Sequence, residues 1–313
     1  MFQKFLQLIK AHQVIIIHRH TNPDGDALGS QIGLKHLILE NFPEKTVYMV
    51  GDDAGYLSFM EGCSMDELDD SAFDGALSII LDTASARLIS DNRYTLAAAT
   101  ARLDHHLFQE CIAGTEVVDD SFESCCGLIG HFAMQCGLRL NPLAAKSLYT
   151  GMVTDSGRFR YDGTVARTFR IAAFLREQPF EPGEIFRKLY AEDYEKKRLR
   201  ALFTLKIKFT PNRVAYIYTT KEELEQTGQD LFTIYRGMVS TMADLKGVDV
   251  WVNFTESDRG VLCELRSTDY NINPIAVKYG GGGHAKACGA TVADRETAMA
   301  MLQDLDQFVG EMK

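Results

Sequence analysis

The sequence predicts an α/β protein with a parallel-sheet N-terminal domain and a smaller α/β C-terminal domain. Short apolar runs alternate with longer segments of helical period in the first half, the pattern breaks at Pro179–Pro182, and strand-like runs return after it. A chain of 313 residues is long enough for two domains that each bury a core. We therefore expect two domains with a cleft between them.

In the first half, apolar runs alternate with segments of helical period. The apolar runs predict strands at Val14–Ile17, Thr46–Val50, Ala76–Leu81 and Ala101–Leu103. The intervening and following segments predict helices at Ala27–Glu40, Cys126–Cys136, Pro142–Val153 and Val165–Glu177. Strands that alternate with helices in this way favour a parallel sheet.

The second half begins with a charged stretch, Ala191–Arg200, whose mixed charges at helical spacing predict an exposed connecting helix. Strand-like runs follow at Leu205–Phe209, Val214–Thr219, Val248–Glu256 and Val261–Ser267. Helical patterns occur near Lys221–Glu225, Leu231–Leu245 and Arg295–Val309. We expect a first domain at 1–188, a connector at 189–204 and a second domain at 205–313.

The composition restricts the partners and the compartment. A formal charge of -10 argues against binding of long nucleic acid, because that affinity comes mainly from Lys and Arg. A short anionic substrate would have to be held by metal ions or a few arginines. The apolar run Val14–Ile17 is too short for a signal peptide, and no stretch approaches the roughly 20 apolar residues of a membrane span. Seven cysteines without a CxxC pair favour reduced thiols in the cytoplasm.

Polar side chains with metal-binding chemistry follow the predicted strands. His20, Asp24 and Asp26 lie near a turn between a strand and a helix, where an open α/β sheet places its ligands. The alternative is that the two aspartates only form the turn and cap the helix. Asp82 directly follows a buried apolar strand, where an unpaired carboxylate is costly. A helix cap or surface turn is its alternative.

Two further clusters extend this pattern. Asp104, His105 and His106 close an apolar strand, and adjacent strand residues point to opposite faces, so one histidine can bind a metal while the other faces a substrate. Asp155 lies at a helix end that disfavours anions and therefore calls for a cation. A surface histidine pair and a simple turn aspartate are the alternatives. Carboxylates combined with imidazoles suit Mn²⁺ or Mg²⁺ better than structural zinc. Two ions about 3.5–4 Å apart could then form a hydrolytic centre.

These clusters resemble, in order and context, the motifs of the DHH phosphoesterase family. The matching segments are HxxxDGD with its trailing GS, the strand-ending Asp82, DHH at 104–106 and TDSGRF at 154–159. The segment LRSTDYNINPIAVKYGGGGHAKACGA resembles the family's substrate-binding, DHH-associated C-terminal domain. Together they cover nearly the whole chain. The compact two-domain plan is most similar to the NrnA-type nanoRNases and 3′-phosphoadenosine 5′-phosphate (pAp) phosphatases.

The resemblance implies a role for each motif residue. Two divalent ions are implied, with Mn²⁺ preferred and Mg²⁺ or Co²⁺ left open. Their implied ligands are His20 and Asp24 for one ion, Asp26, His105 and Asp155 for the other, and Asp82 as the bridge. His106 would face the scissile phosphate, and Asp104 would support the histidines. The implied substrate-binding residues are Arg158, Arg266, Ser267, Gly281, Gly282, Gly283 and His284.

Two of these substrate roles also have a physical basis in the residues. Gly281–Gly283 can bring backbone N–H groups close to a phosphate because no Cβ intervenes. Arg266 can offer a planar fork to a phosphate. The glycines could instead form a flexible hairpin, and Arg158 could instead pair with a local carboxylate.

The function implied by the resemblance is hydrolysis of short oligoribonucleotides, of pAp, or of both, to mononucleotides by attack of a metal-generated hydroxide. Linear dinucleotides such as pApA and an exopolyphosphatase-like activity are the alternatives within hydrolases. A nucleotide-binding regulator without catalysis is the alternative outside them, although every ligand position holds a competent residue. We expect no membrane partner, and a homodimer is left open.

Overall fold

A computed structural model describes residues 2–312 and divides into two compact units, the first ending at Ala191 and the second beginning at Glu192. The division lies inside the segment predicted as a connector. No helix in the described part of the chain is both long and apolar enough to cross a bilayer.

The first unit is built on a five-stranded parallel sheet with strand order β2-β1-β3-β4-β5. Its strands are β1 Val14–His18, β2 Thr46–Met49, β3 Leu77–Leu81, β4 Ala99–Asp104 and β5 Thr115–Val118. The central strand β3 is buried along its whole length, as expected for a parallel sheet covered on both faces. The prediction of a parallel N-terminal sheet is confirmed.

Helices cover one face of this sheet, and short 3₁₀ turns cover much of the other. The helices are α1 Gln3–Ala11, α2 Gly25–Asn41, α3 Cys125–Cys136, α4 Pro142–Asp155, α5 Ala166–Leu175 and α6 Pro182–Tyr190. The main core joins the sheet to α1 through α5. Smaller clusters lie beside it, such as the one that joins Ile16 to Phe73 of the turn Asp70–Phe73.

The helices α2 and α4 approach each other closely because small residues line their contact. A Cβ on Gly29 would lie 2.6 Å from the Ser147 carbonyl oxygen, and one on Gly151 would lie 2.9 Å from Asp26 Oδ1. Any side chain at either position would force the helices apart. The close packing places the start of α2 beside the end of α4, and these are the two helix ends that carry Asp26 and Asp155.

The second unit has a six-stranded mixed sheet with order β10-β11-β9-β8-β7-β6, in which only β7 and β8 pair in parallel. Its strands are β6 Lys208–Phe209, β7 Ala215–Thr219, β8 Val250–Ser257, β9 Gly260–Ser267, β10 Gly282–His284 and β11 Ala287–Val292. Its helices are α7 Tyr194–Leu205, α8 Lys221–Thr227, α9 Asn273–Lys278 and α10 Arg295–Met312. One core packs α10 on the sheet, and another joins Phe203 and residues near Met238 to β7 and β8.

Several predicted elements differ from the structure. The helix predicted near Leu231–Leu245 is confirmed in part: the segment is helical, but as a π-helical turn at Thr233–Gly237 and a 3₁₀ turn at Met238–Met242. The strand predicted from Leu205 is shorter, because α7 continues through Leu205 and β6 contains only Lys208 and Phe209. The sequence interpretation missed three strands, β5, β10 and β11, and three helices, α1, α6 and α9.

Candidate metal centre

The predicted ligands of the first unit come together at the carboxyl ends of its parallel strands. His20 lies just beyond β1, Asp82 directly follows β3, and His105 directly follows β4. Asp24 precedes α2, Asp26 lies in its first turn, and Asp155 is the last residue of α4. The strand ends of an open α/β sheet are where such proteins bind ligands.

The six side chains form two donor groups. His20, Asp24 and Asp82 make one, while Asp26, His105 and Asp155 make the other; within each group the ligand atoms lie within 4.8 Å of one another. His20 Nε2 is 3.6 Å from Asp82 Oδ2. His105 Nε2 is 3.4 Å from Asp82 Oδ1 and 3.4 Å from Asp155 Oδ2. Asp82 therefore lies between the two histidines, with one carboxylate oxygen toward each.

Asp82 is held in an unusual backbone conformation. Its φ is +50°, in the left-handed region that few residues other than glycine adopt. Its backbone N–H donates to the Leu103 carbonyl oxygen at 3.1 Å, which ties the end of β3 to β4. Its Oδ1 is buried and has no hydrogen-bond partner within the described residues. A buried carboxylate oxygen without a donor is costly unless a cation binds it.

Asp26 is fixed by the N-terminus of α3. Its Oδ2 accepts from the Cys125 N–H at 2.7 Å, and its Oδ1 accepts from the Cys126 N–H at 2.9 Å. Unpaired N–H groups at a helix start stabilise an anion there. Asp24 has a second role, since its Oδ1 caps α2 by accepting from the N–H groups of Asp26 and Ala27. The helix-cap alternative is thus correct for Asp24, and capping leaves it within the donor group.

Backbone carbonyls orient both histidines of the donor groups. His20 Nδ1 lies 2.8 Å from the Thr21 carbonyl oxygen, and His105 Nδ1 lies 3.3 Å from that of Phe122. A carbonyl can only accept, so each Nδ1 carries a proton, and Nε2 is the nitrogen that faces the carboxylates and can bind a cation when it loses its proton. This arrangement is typical of metal-binding histidines.

Asp104 and His106 lie beside the two donor groups. Asp104 Oδ1 accepts from His106 Nδ1 at 2.7 Å, and Asp104 Oδ2 pairs with the guanidinium of Arg102. Arg102 and Asp104 are both completely buried. His106 Nδ1 is also 3.6 Å from Asp82 Oδ1, so His106 lies within reach of a metal position. The shorter bond to Asp104 engages that nitrogen and leaves Nε2 free.

The electrostatics of the centre are those of crowded carboxylates. Burial raises the pKa of Asp26 well above its usual range, and the neighbouring Asp82 charge raises it further. Burial also raises the pKa of Asp155 to about 6. Burial alone would lower the pKa of His105, but pairing with Asp82 and the charges of Asp26 and Asp155 raise it to about 10. The charged forms of Asp26 and Asp155 are therefore destabilised, because the centre contains more negative than positive charge.

The donor set fits a pair of divalent cations. Four carboxylates and two imidazoles are the oxygen-rich mixed donors that Mn²⁺ and Mg²⁺ accept, and no thiolate belongs to either group. No lysine or arginine in the described chain forms an ion pair with Asp24, Asp26, Asp82 or Asp155. Two divalent ions would balance the four negative charges and satisfy the buried Asp82 Oδ1.

Arg158, a predicted phosphate contact, stacks its guanidinium over the Tyr190 ring at 3.6 Å. It forms no ion pair within the described residues, so the local-partner alternative is wrong. Both Arg158 and Phe159 have positive φ, at 65° and 62°. Two consecutive strained residues persist only where the surrounding structure holds them.

The predicted substrate residues of the second unit lie on or beside β9 and β10. Arg266 Nη2 is 2.5 Å from Glu264 Oε1, whereas the Ser267 hydroxyl donates to the Tyr270 carbonyl oxygen. Gly282–His284 form β10, which pairs antiparallel with β11 across a two-residue turn, so the glycines lie in a β-hairpin, as the alternative expected. A Cβ on Gly283 would lie 2.5 Å from the Ala287 carbonyl oxygen, and this close approach by itself requires glycine. Their substrate roles stay predictions.

The sequence interpretation missed the residues that support the centre. The amides of Cys125 and Cys126 hold Asp26, and the buried Arg102 holds Asp104. Arg19, also completely buried, donates to Gln31 Oε1 and to the His20 carbonyl oxygen. A signal existed for the two arginines, since each stands inside or just after an apolar strand where an unpaired cation is costly.

Fold and site together define the class, a two-domain α/β protein with a carboxylate–imidazole metal centre at the strand ends. The family comparisons agree with this class. Residues 14–152 match the DHH family, N-terminal domain, and residues 232–311 match the DHHA1 domain.

Similar proteins extend over nearly the whole chain. A Bacillus subtilis protein named bifunctional oligoribonuclease and PAP phosphatase NrnA is 33% identical, over 98% of this chain and 98% of its own. A Streptococcus mutans protein named "probable bifunctional oligoribonuclease and PAP phosphatase NrnA" is 36% identical, over 97% and 98%. A crystal structure of an exopolyphosphatase-related protein from Bacteroides fragilis has the same fold, with a TM-score of 0.81, 23% identity and coverage of 99% and 96%.

The chain belongs to the DHH family of phosphoesterases and, within it, to the NrnA type. The resemblance drawn from the motifs is confirmed.

Proposed function

We propose that this protein is a divalent-metal-dependent hydrolase that cleaves short oligoribonucleotides and pAp to mononucleotides. One observation carries the proposal: six ligand side chains from separate strand and helix ends meet in two donor groups around Asp82. The names of the Bacillus and Streptococcus relatives, which share nearly the full length, support the substrate class. The formal charge of -10 supports short substrates over long RNA.

In this proposal His20 and Asp24 would hold one ion, Asp26, His105 and Asp155 would hold the other, and Asp82 would serve both. We infer that Mn²⁺ is the preferred metal, from the mixed oxygen and nitrogen donors. When bound, the ions would activate water and neutralise charge on the phosphate. The chain contributes by fixing the ligands in advance, with Asp26 on two amides and both histidines on carbonyls.

His106 is the proposed residue for the scissile phosphate. Asp104 accepts from its Nδ1 and raises the pKa of His106, which favours a proton on Nε2. A protonated Nε2 can donate to a phosphate oxygen as negative charge develops. Arg102 keeps Asp104 ionised and immobile behind it. Cytoplasmic location is also a proposal, supported by seven cysteines that are all free thiols.

Replacing Asp82 with the isosteric Asn tests the mechanism. Asp82→Asn should reduce release of AMP from pAp and pApA by at least about a thousandfold, since metal-ion stabilisation of the transition state contributes several kcal/mol. Bound Mn²⁺ measured by elemental analysis should fall in the same variant. The exposed carboxylate Asp74 offers a matched control, and Asp74→Ala should retain activity and metal.

The outcomes separate the candidate functions. Retained hydrolysis in Asp82→Asn with normal metal content would contradict the mechanism. A wild-type protein that binds pAp but releases no phosphate or nucleotide from any substrate would be a regulator. A panel of pAp, pApA, two- to five-nucleotide RNA and polyphosphate at fixed Mn²⁺ ranks the substrates and tests the exopolyphosphatase-like alternative.

A further inference from the structure

A charged cluster lies on one face of the sheet in the second unit. Side chains alternate between faces along a strand, and Leu265 of β9 packs into the core beneath α10. Its neighbours Glu264 and Arg266 therefore point to the opposite face. The register places Glu264 between Gly289 of β11 and Asn253 of β8. The cluster is thus centred on the sheet rather than on a loop.

Glu264 is the centre of this cluster. Its side chain is only 1% exposed, and its Oε1 lies 2.5 Å from Arg266 Nη2 and 3.4 Å from Arg236 Nε. The two guanidinium groups come from different elements, Arg266 from β9 and Arg236 from the π-helical turn at Thr233–Gly237. Isolated π-helical turns are frequent at functional sites. One buried carboxylate oxygen therefore aligns two cations that the chain brings from separate elements.

The cluster contains more positive charge than Glu264 requires. One arginine would neutralise the carboxylate, yet two are present, and the cluster has a net charge of about +1. The side chain of Arg236 is 55% exposed and that of Arg266 is 27% exposed. Within residues 2–312, the two terminal nitrogens of Arg236 have no hydrogen-bond or ion-pair partner. Arg236 therefore has donors that can bind an anion, whereas the terminal nitrogens of Arg266 already contact the Leu265 carbonyl oxygen and Glu264 and add positive charge beside them.

The second oxygen of Glu264, Oε2, lies beside Gly289 and Tyr235. A Cβ added to Gly289 would be 3.5 Å from Oε2 and 3.2 Å from the Tyr235 hydroxyl. Burial and a hydrogen bond to Glu264 raise the pKa of Tyr235. The Tyr235 hydroxyl therefore supports the carboxylate, while Glu264 Oε1 aligns the arginines.

We propose that Glu264 is a positioning residue that holds Arg236 and Arg266 as a two-guanidinium clamp for a phosphate group of the substrate. The proposal rests on the proposed function for the identity of the anion, a nucleotide phosphate. Arginine suits this role because its planar fork matches two phosphate oxygens at once. In a chain of formal charge -10, such a fixed positive centre attracts an anion that the surrounding surface repels.

Binding of pAp, measured by titration calorimetry in excess EDTA, tests the clamp without the metal centre. Arg236→Ala and Glu264→Gln should each weaken binding by about tenfold, because each removes or misaligns hydrogen bonds to a charged phosphate. Arg259, exposed in the turn between β8 and β9, is the matched control. Arg259→Ala removes the same charge and should leave binding unchanged.

A kinetic measurement separates positioning from general structural damage. With Mn²⁺, Glu264→Gln should raise KM for pAp by about tenfold and leave kcat/KM for bis(p-nitrophenyl) phosphate at the wild-type value. Arg236→Ala, at an exposed position, should behave in the same way with an unchanged Tm.

Three outcomes would overturn the clamp. In the first, wild type and the variants Arg236→Ala, Glu264→Gln and Arg259→Ala bind pAp with equal affinity. In the second, Arg236→Ala and Arg259→Ala lose equal affinity for pAp. In the third, the wild-type protein does not bind pAp in EDTA. The proposed function is tested separately. If the proteins show the predicted pattern of pAp binding but the wild type does not hydrolyse pAp or short RNA, the clamp is supported and the proposed function is contradicted.

Discussion

Each unit has a cluster of charged side chains beside its β-sheet, but the excess charge of the two clusters has opposite sign. In the first, four carboxylates surround two imidazoles, and within the described residues no lysine or arginine pairs with those carboxylates. In the second, two arginines surround one buried carboxylate. The first cluster needs cations from solution, whereas the second has its counter-charge in the chain. The comparison indicates that the metal centre is unfavourable until ions bind, while the arginine cluster is ready in advance.

The largest effect is expected at a buried pair of the first unit in which, as in the second unit, an arginine of the chain neutralises a buried carboxylate. Arg102 is a buried cation that pairs with the buried Asp104. Arg102→Met removes the buried cation from that carboxylate, which keeps only its contacts with His106, and should lower the free energy of unfolding by about 3–5 kcal/mol. Urea unfolding measures the change, with the exposed Arg87→Met as a control that should stay near wild type. Equal stability of the two variants would show that Asp104 needs no counter-charge.

A smaller effect tests whether the metal centre lacks its own counter-charge. Mn²⁺ at 100 times its dissociation constant should raise the unfolding free energy by about 2.7 kcal/mol relative to EDTA, because it binds only the folded state. Asp155→Asn removes a ligand and should lose most of that gain. Glu264→Gln should keep it in full, since its cluster needs no metal. If Mn²⁺ stabilises Asp155→Asn as strongly as wild type, Asp155 is not a ligand.

The smallest effect is expected for an ion pair that belongs to neither cluster. Arg198 and Glu195 of α7 are 2.9 Å apart but 59% and 70% exposed. Water screens such a pair, so Arg198→Ala should change the unfolding free energy by no more than about 0.5 kcal/mol. If Arg198→Ala lowered the unfolding free energy as much as Arg102→Met, burial would not determine how much these ion pairs stabilise the fold.

Parts of the fold with strong local signals could be predicted from the sequence. The strands β1, β3 and β4 are apolar runs, and α4 begins at Pro142 as expected. The strand β5 was missed because its four residues, TEVV, contain a glutamate and pair only with β4 at the sheet edge. The apolar residues near Met238 have helical spacing, but they fill a core through π and 3₁₀ turns that periodicity cannot distinguish from an α-helix.

The candidate metal centre, like the fold, could be predicted from the sequence only in part. The residue types and their places after strands pointed to the six side chains that the structure brings together. The support of Asp26 could not be predicted, because its partners are backbone amides about 100 residues further along the chain. Arg236 was missed since its partner Glu264 lies 28 residues away, and only the packing of the π-helical turn against the sheet brings them together.

The bonds between Asp26 and the start of α3 also bear on when the protein becomes active during its synthesis. A nascent chain that has emerged through Asp104 contains His20, Asp24 and Asp82, but it lacks the amides of Cys125 and Cys126 that fix Asp26. Asp155 emerges later still. A growing polypeptide therefore cannot assemble the centre until Asp155 has left the ribosome. A chain that stops before this residue would lack one of the six side chains of the centre.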